Sequence, residues 1–399
     1  MQGMQRSAFD SSGGEATPPN VGRSGRYVQQ ITGYRAFIPA PLPPDPPVMM
    51  DAEMQRLLSE ADRALGRLDG SIQTLPNPDL FVFMYVRKEA VLSSQIEGTQ
   101  ASINDLLKAE ADILDANVPR DVDEVINYVS AMNYGMGRLE DLPLSVRLIK
   151  EIHERLLDGV RGSMLQPGEL RRTQNWIGPQ GCSLNTASFV PPPHEAAEQA
   201  LSDLERFLHI EDLMPPLIRI GLAHAQFETI HPFLDGNGRI GRLLITFFLV
   251  QQKLLTKPVL YLSYYFKQNR QEYYDRLQST RDHGDWEGWL KFFLKGVATV
   301  AAQATETSRN IVNLREVHRS VIAENFGSSG GRAMRVLESL YSKPAVSVND
   351  VKDMLGVSYP NANALVERFV ERGILSEITG QARNRKFLYA PYIHLFTNI

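Results

Sequence analysis

Two strongly apolar segments, separated by a short polar turn, constrain the fold of this chain more than any other feature. Residues 217–227 follow Pro215 and Pro216, which suit the first turn of a helix, and their apolar side chains surround a helix on nearly every side. Residues 243–250 form a second segment of the same kind. Because a helix that is apolar all round must be buried, the sequence predicts two core helices that frame the turn at 231–242.

The first half of this turn combines a base with an acid. His231 can accept a proton from a hydroxyl group near neutral pH, because the ordinary pKa of histidine lies close to 7. Asp235, four residues later, offers the oxygen ligand that a divalent cation such as Mg²⁺ prefers. The pair indicates proton transfer beside a metal ion.

The second half of the turn is suited to anions. Gly236, Asn237 and Gly238 allow backbone N–H groups to approach phosphate oxygens, and they precede a helix whose N-terminus favours negative charge. Arg239 and Arg242 lie three residues apart, so we expect both on one helix face, where each guanidinium can bind a phosphate through two hydrogen bonds. The turn therefore predicts phosphate chemistry.

Two other interpretations of the region remain open at this stage. His224, Glu228 and His231 recur at a spacing that can gather a transition metal on one helix face, although Pro232 makes His231 a poor helix residue. A purely structural glycine turn is the second alternative. We prefer to interpret His224 and Glu228 as packing or supporting residues.

The twelve residues 231–242 also resemble, at every position, the signature H-P-F-x-D-G-N-G-R-x-x-R of the Fic (filamentation induced by cAMP) family, whose members transfer AMP from ATP to protein hydroxyl groups. The resemblance implies that His231 deprotonates the target hydroxyl and that Asp235 binds Mg²⁺, with Mn²⁺ as an alternative. It implies an anion hole at Gly236–Gly238 and phosphate contacts from Arg239 and Arg242. The transfer of a nucleotidyl group is known here only from the resemblance.

A second motif lies far upstream, in a predicted helix from Phe81 to Glu97 that Gly98 ends. Ser93 to Gly98 match the pattern [S/T]-x-x-x-E-[G/N], which is inhibitory in the Fic family. The resemblance implies that Glu97 binds Arg242 and denies it to the ATP γ-phosphate. A charge-assisted pair is worth about 1.5–3 kcal/mol, which would lower the competent state about tenfold to a hundredfold. The same glutamate could instead position water for the removal of AMP, so both directions stay open.

Residues 176–193 are predicted to form a short hairpin around Ser188, Phe189 and Val190. The hairpin resembles the flap on which Fic proteins bind an extended target segment by strand addition, and the alternative is a connecting loop. Further on, the resemblance puts Tyr273 near the adenine. Arg281 stands where some relatives carry an adenine-contacting asparagine.

The C-terminal segment has a pattern of its own. Three helices are predicted at 332–341, 348–355 and 360–372, followed by a hairpin at 374–389, which together indicate a winged helix. From residue 332 onward there are 9 Lys plus Arg against 6 Asp plus Glu. Because this excess is small, we favour protein docking or dimer contact over DNA binding, although Arg383, Arg385 and Lys386 cluster on the predicted wing.

The chain as a whole is predicted to be mainly α, with a Fic-type helical domain, a small β-hairpin flap and a C-terminal winged helix-turn-helix domain. We expect a disordered tail at 1–33, a helical region with the inhibitory helix at 34–130, a catalytic core at 131–313, a linker at 314–331 and the winged helix at 332–399.

Composition narrows the possible environment and partners. A single cysteine, Cys182, fits a reducing compartment, and no apolar stretch suits a signal peptide or a membrane span, so we expect a cytoplasmic protein without a membrane partner. The net charge of −4 gives no general affinity for nucleic acid. The expected partners are ATP and a target protein with a free hydroxyl, and a homodimer is compatible with the resemblance. The competing hypothesis is a DNA-binding regulator whose Fic-like domain senses nucleotide or is inactive.

Overall fold

A computed structural model describes residues 22–73, 75, 78–110, 121–179, 181–211, 213–381 and 383–397. The fold is mainly helical, as predicted. Its helices are α1 (Ala52–Gln73), α2 (Pro78–Ile96), α3 (Ile103–Glu110), α4 (Val122–Arg138), α5 (Val146–Leu156), α6 (His194–Leu208), α7 (Pro216–Ile230), α8 (Asn237–Gln251), α9 (Ser263–Gln268), α10 (Arg270–His283), α11 (Trp286–Asn325), α12 (Gly330–Leu340), α13 (Val348–Leu355), α14 (Tyr359–Glu371) and α15 (Ala390–Thr397). The strands are β1 (Gly25–Gln29), β2 (Arg35–Pro39), β3 (Ala345–Ser347), β4 (Ser376–Glu377) and β5 (Lys386–Leu388).

Helices α7 and α8 lie at the centre of the core, as their all-round apolar sequences require. Every residue of α7 from Leu217 to Ile230 is buried. Helix α11 crosses α7 closely at Gly221, where a Cβ atom would lie 2.7 Å from the side chain of Leu290, and Trp289 donates a hydrogen bond to the Gly221 carbonyl at 2.7 Å. This close packing fixes the direction of α7 and so the position of the turn at 231–242 that follows it.

The predicted disordered tail at 1–33 is wrong in its last part, while residues 1–21 lie outside the described residues. Strand β1 pairs antiparallel with β2, and Tyr27 lies opposite Phe37. Phe37 is buried, and its N–H donates to the Val190 carbonyl at 2.9 Å. A polar composition suggested disorder, but the few aromatic residues of the hairpin bury enough apolar surface to order it.

The predicted linker at 314–331 is also wrong, because α11 continues through it. This helix runs for 40 residues without a break as far as Asn325, and it still buries His318 and Ile322 within the expected linker. A short 3₁₀ helix at Gly327–Ser329 then leads directly into α12. The apolar face of α11 therefore overrides the glycine and serine content that indicated a flexible joint.

The C-terminal segment has the predicted order of elements. Helices α12, α13 and α14 are followed by β4 and β5, and β3 joins them in a sheet of order β3-β5-β4. Helix α15, which was not predicted, packs Phe396 against Tyr85 of α2, with ring centroids 5.5 Å apart. The segment thus rests on the helix bundle, and its assignment as a winged helix stays a prediction. No helix in the described ranges is long and apolar enough to cross a membrane.

Candidate active site

The backbone of His231 ends α7 in a left-handed conformation, with φ at 49°. Its N–H donates to the Phe227 carbonyl at 3.0 Å. Its own carbonyl accepts hydrogen bonds from Arg171 Nε at 2.9 Å and from Asn175 Nδ2 at 3.2 Å. Arg171 is almost fully buried, so this clamp is rigid, and it holds an unfavourable backbone conformation at the position of the predicted base.

The imidazole of His231 is neutral at physiological pH. Burial lowers its pKa to about 4, and the positive charges of Arg281 and Arg171 add to the decrease, while Glu97 opposes it. Nδ1 is buried and makes no hydrogen bond within the described part of the chain. A neutral imidazole can accept a proton, which is what the predicted role of His231 requires.

The side chain of Asn237 closes the turn at 231–242 from inside. Asn237 Oδ1 accepts from the Phe233 N–H at 2.9 Å, and Asn237 Nδ2 donates to the Phe233 carbonyl at 2.8 Å. Asn237 was predicted to contribute its backbone N–H to the anion hole, and both polar atoms of its side chain are occupied by the turn. Gly236, with φ at 78°, precedes it at the N-terminus of α8. Asn237 thus shapes the turn, and only its backbone remains available to an anion.

His153 of α5 supports the same turn and was missed by the sequence reasoning. Its ring stacks on Phe233 with centroids 3.7 Å apart, and Nδ1 accepts from the Gly168 N–H at 2.9 Å. Nε2 must then carry the proton and donate to the Asp235 carbonyl at 3.0 Å. Burial lowers the pKa of His153 to about 4, which keeps this tautomer neutral. No sequence motif marks the residue, because it lies 82 positions away from its partner.

Asp235 offers a partly exposed carboxylate, as a metal ligand must. Its side chain is 30% exposed, and Oδ1 accepts from the Gly236 N–H at 2.6 Å. No group of three His, Cys, Asp or Glu side chains within the described ranges is placed to hold a metal, so the alternative of a His224–Glu228–His231 metal cluster is not formed. A single protein carboxylate fits Mg²⁺, which takes most of its ligands from substrate phosphates and water.

Arg239 and Arg242 bind different partners, although the sequence predicted that they point the same way. Arg239 Nη1 donates to Glu124 of α4 at 3.2 Å, and Arg239 Nη2 lies 3.6 Å from Asp235 Oδ1. The side chain is 1% exposed, and Nε and Nη2 lack hydrogen-bond partners among the described residues. A spacing of three residues turns a helix by about 300°, so the two side chains diverge enough for α4 to capture one of them.

Arg242 is held by the end of α2. Its Nε donates to Ser93 Oγ at 2.8 Å, and its Nη2 donates to the Ser93 carbonyl at 3.0 Å and to Glu97 Oε1 at 2.7 Å. Burial would raise the pKa of Glu97, but Arg242, with help from Arg239 and His231, keeps it below its ordinary value. Glu97 is therefore ionised in this ion pair.

Glu97 also lies directly over the predicted anion hole. A Cβ atom at Gly238 would collide with Glu97 Oε1, so this position accepts no side chain while Glu97 is in place. The carboxylate thus occupies the space above the glycine turn and the guanidinium of Arg242 together.

A second glutamate lies beneath Arg242. Burial raises the pKa of Glu228 to about 7 against the pull of Arg242, and its Oε1 has no partner in the described part of the chain. The carboxyl group packs against Gly241, where a Cβ would lie 2.5 Å from Oε1. Next to it, His224 links the Gly241 carbonyl and the Tyr273 hydroxyl, each at 2.9 Å. His224 and Glu228 are packing and supporting residues, in line with the preferred interpretation.

Tyr273 is not placed to contact a nucleotide. It is 1% exposed, stacks on Phe266 with centroids 4.4 Å apart and gives its hydroxyl to His224. Its neighbour Tyr274 is 39% exposed. Partial burial raises the pKa of Tyr274, and the charge of Glu97 adds to the rise, so its ring lies within electrostatic reach of the inhibitory pair. Tyr274 is the better candidate for contact with a base, and the helical period alone could not separate two adjacent tyrosines.

The predicted flap hairpin is reduced to a single antiparallel bridge, between Ile177 and Phe189. Phe189 and Val190 are buried, and Ser188 is exposed. Arg281, which stands where some relatives carry an adenine-contacting asparagine, lies over the Phe189 ring at 3.9 Å and donates to the Glu228 carbonyl and the Thr229 hydroxyl. The carbonyl of Val190 is already bonded to Phe37, so part of the edge expected for a target strand is occupied by the β1–β2 hairpin.

The fold is mainly helical, and the site places a neutral histidine beside a glycine turn. Family profiles match two regions of the chain: residues 55–137 match "Fic/DOC family N-terminal" and residues 143–249 match "Fic/DOC family". In these two regions the chain is similar to the Fic/DOC family.

Curated relatives carry the name "Protein adenylyltransferase Fic". The protein from Culex quinquefasciatus is 32% identical over 173 residues, which are 42% of this chain and 31% of the relative. The one from Drosophila willistoni is 27% identical over 232 residues, 53% of this chain and 43% of the relative. The chain therefore spans less than half the length of these relatives.

Solved structures support the fold. A Fic family protein from Desulfovibrio desulfuricans superposes with a TM-score of 0.55 at 19% identity, and the match covers 86% of this chain and 97% of the other. A Fic domain containing signaling protein from Bacteroides thetaiotaomicron superposes with a TM-score of 0.50 at 18% identity, covering 64% and 95%.

Proposed function

We propose that this chain is a protein adenylyltransferase, which transfers AMP from ATP to a Ser, Thr or Tyr hydroxyl of a target protein or of the chain itself. The observation that carries the proposal is the neutral, clamped imidazole of His231 next to the glycine turn at the N-terminus of α8. A base and an anion-binding helix end at one point suit attack of a hydroxyl on a phosphate.

In the proposed reaction, His231 takes the proton of the target hydroxyl as its oxygen attacks the α-phosphorus of ATP. A bond forms between that oxygen and the α-phosphorus, the bond to the β-phosphate oxygen breaks, and pyrophosphate leaves. The backbone of Gly236–Gly238 faces the transferred phosphate, and Arg242 binds the outer phosphates once it is free. Asp235 would hold Mg²⁺, which neutralises phosphate charge, and Mn²⁺ is an alternative ion.

We further propose that Glu97 keeps the enzyme inhibited. Its carboxylate holds Arg242 at 2.7 Å and covers Gly238, so ATP phosphates cannot occupy either position before the pair opens. Only Glu97 of this pair reaches solvent, with a side chain that is 32% exposed against 2% for Arg242. Displacement of the glutamate, and not movement of the arginine, is the event that activates the site.

The test is incubation with α-labelled ATP and Mg²⁺, comparing the natural sequence with Glu97→Gly, and Glu97→Gly with Glu97→Gly/His231→Ala. We expect labelled protein in Glu97→Gly and no label once His231 is also replaced. A parallel reaction with γ-labelled ATP must stay unlabelled, because phosphate transfer would label it instead. Absence of label in Glu97→Gly overturns the proposal.

The reverse reaction uses the same experiment. If pre-labelled protein loses AMP faster with the natural sequence than with Glu97→Gly, Glu97 positions water and removal of AMP is the main activity. If no variant transfers AMP but the chain retards DNA at moderate salt, the regulator hypothesis is correct.

A further inference from the structure

Helix α2 carries a third polar residue on the side that faces Arg242. Glu89 precedes Ser93 by four residues and Glu97 by eight, so the three side chains lie along one face over about 12 Å. Ser93 and Glu97 bind Arg242, whereas Glu89 binds other helices. Its Oε1 accepts hydrogen bonds from Tyr128 of α4 at 3.1 Å and from Ser263 of α9 at 2.5 Å.

These bonds are fully enclosed. Glu89 is 2% exposed, Tyr128 is 0% and Ser263 is 1% exposed. Burial raises the pKa of Glu89 to about 7, although the Ser263 hydroxyl, Arg242 and Tyr128 all oppose the rise. A carboxyl group this deep in the core is costly, and its packing could be supplied more cheaply by an apolar side chain.

Most of the other side chains that α2 buries are apolar, although Ser93 bonds Arg242 and the Tyr85 hydroxyl hydrogen-bonds Thr307. Apolar packing depends on the area buried and tolerates small rotations or shifts of a helix, whereas hydrogen bonds fix its register. The apolar side chains that α2 buries are Phe81, Met84, Tyr85, Val86, Ala90, Val91 and Ile96. A rotation of about 100°, the step of one residue, would carry Ser93 and Glu97 away from Arg242.

We propose that Glu89 is a positioning residue of the inhibitory helix, which sets the register of α2 through Tyr128 and Ser263 and so holds Glu97 over Arg242. The inference rests on the proposed function, because it assigns to Glu89 a part in the inhibition of AMP transfer. Glu89 itself does not touch the nucleotide site. It acts two helical turns away, at the junction of α2, α4 and α9.

The experiment measures AMP transfer from α-labelled ATP by the full chain. Glu89→Ala removes both bonds, and we expect a rise of about threefold to tenfold, since each buried hydrogen bond contributes only part of the ion pair's effect. Glu89→Gln keeps the acceptor oxygen and is expected to remain within about twofold of the natural rate. In the Glu97→Gly background, Glu89→Ala should add nothing, because the glutamate that it positions is already gone.

Further variants separate a loss of helix register from a general loss of stability. Glu110→Ala breaks the ion pair of Arg87 and Glu110, which joins α2 to α3 near the surface at 2.7 Å, and is expected to leave the rate unchanged. Tyr128→Phe and Ser263→Ala remove one donor each and should activate in the same direction as Glu89→Ala. If Glu89→Ala does not fold, Tyr128→Phe and Ser263→Ala serve as the test variants in its place.

Amide hydrogen exchange gives a readout that does not depend on activity. Faster exchange at residues 93–98 in Glu89→Ala is expected, with unchanged exchange in α7 and α8. Unchanged exchange at 93–98, or equal activation with and without Glu97, overturns the role of Glu89. Lack of label in Glu97→Gly itself would overturn the proposed function and leave the exchange result to decide the role of Glu89.

Discussion

The turn at 231–242 and the turn at 93–98 meet at Arg242 but are held in different ways. The first is closed by its own side chains and by buried partners such as Asn237, His153 and Arg171. The second begins within the last turn of α2, and Glu97, just beyond the helix, keeps a 32% exposed side chain. The catalytic turn is therefore preformed, whereas the inhibitory turn is attached through a few polar contacts that can open without unfolding the core.

The largest expected effect on AMP transfer comes from a change in the turn at 231–242. His231→Asn removes the base, and asparagine tolerates the left-handed backbone at this position better than alanine does. In a Glu97→Gly background, we expect AMP transfer to fall by about a hundredfold or more. The unfolding temperature should change little, because the backbone carbonyl of residue 231 keeps its contacts. More than about a tenth of the activity remaining would show that another group accepts the proton.

A smaller effect on AMP transfer, in the opposite direction, is expected from a change in the turn at 93–98. Glu97→Gly should raise AMP transfer about tenfold to a hundredfold, because it frees Arg242. Glu97→Gln keeps a hydrogen-bond acceptor without the charge and should give an intermediate rise. Initial rates at saturating ATP distinguish the three proteins. Equal rates for the natural sequence and Glu97→Gln would mean that charge is not what holds the pair.

Next, Asn237→Ala tests whether the catalytic turn is internally supported. The two hydrogen bonds to Phe233 are lost, and the buried backbone groups are left without partners, so the free energy of unfolding should fall by about 2 kcal/mol. Chemical denaturation measures this loss. Asn237→Asp keeps only the acceptor and serves as the matched variant, with a smaller loss expected. If Asn237→Ala lowered AMP transfer at full stability, the side chain would act on substrate instead.

The smallest expected effect concerns the different protonation states of Glu228 and Glu97, the two glutamates beside Arg242. Burial raises the pKa of Glu228 to about 7, while Arg242 lowers the pKa of Glu97. The folded protein thus keeps a proton on Glu228 that the unfolded chain releases from about pH 4.5 upward, so folded stability declines as the pH rises from about 4.5 to 7. Glu228→Gln should therefore raise the unfolding temperature at about pH 8 by a few degrees relative to its effect at about pH 4.5.

The exposed pair of Lys343 and Asp350 provides the control for this pH comparison. Although partial burial opposes it, hydrogen bonds from Ser347 and Lys343 lower the pKa of Asp350, so its contribution is lost as the pH falls, the reverse of Glu228. Asp350→Asn should therefore cost stability near neutral pH and cost less in acid. The same pH trend for both variants would contradict the protonation state assigned to Glu228.

Much of the fold followed from local patterns. The apolar segments on either side of residue 231 required two buried helices, and glycine and proline marked where the C-terminal helices end. The predictions failed where distant packing competes with composition. The β1–β2 hairpin is ordered by Phe37 against the flap, and α11 continues through the expected linker because its buried face does not end there.

The sequence by itself determined the chemistry of this protein: a twelve-residue turn with a base, an acid, glycines and two arginines, and a separate serine–glutamate motif. Only the tertiary structure decided which partners these groups have. Arg239 pairs with Glu124, and Glu97 pairs with Arg242 although the two are 145 positions apart in the sequence. The Asn237 side chain bonds within the turn, Tyr273 is buried and Tyr274 is exposed. Residue types limit what a side chain can do, but burial and long-range contacts, which no local pattern encodes, select what it does.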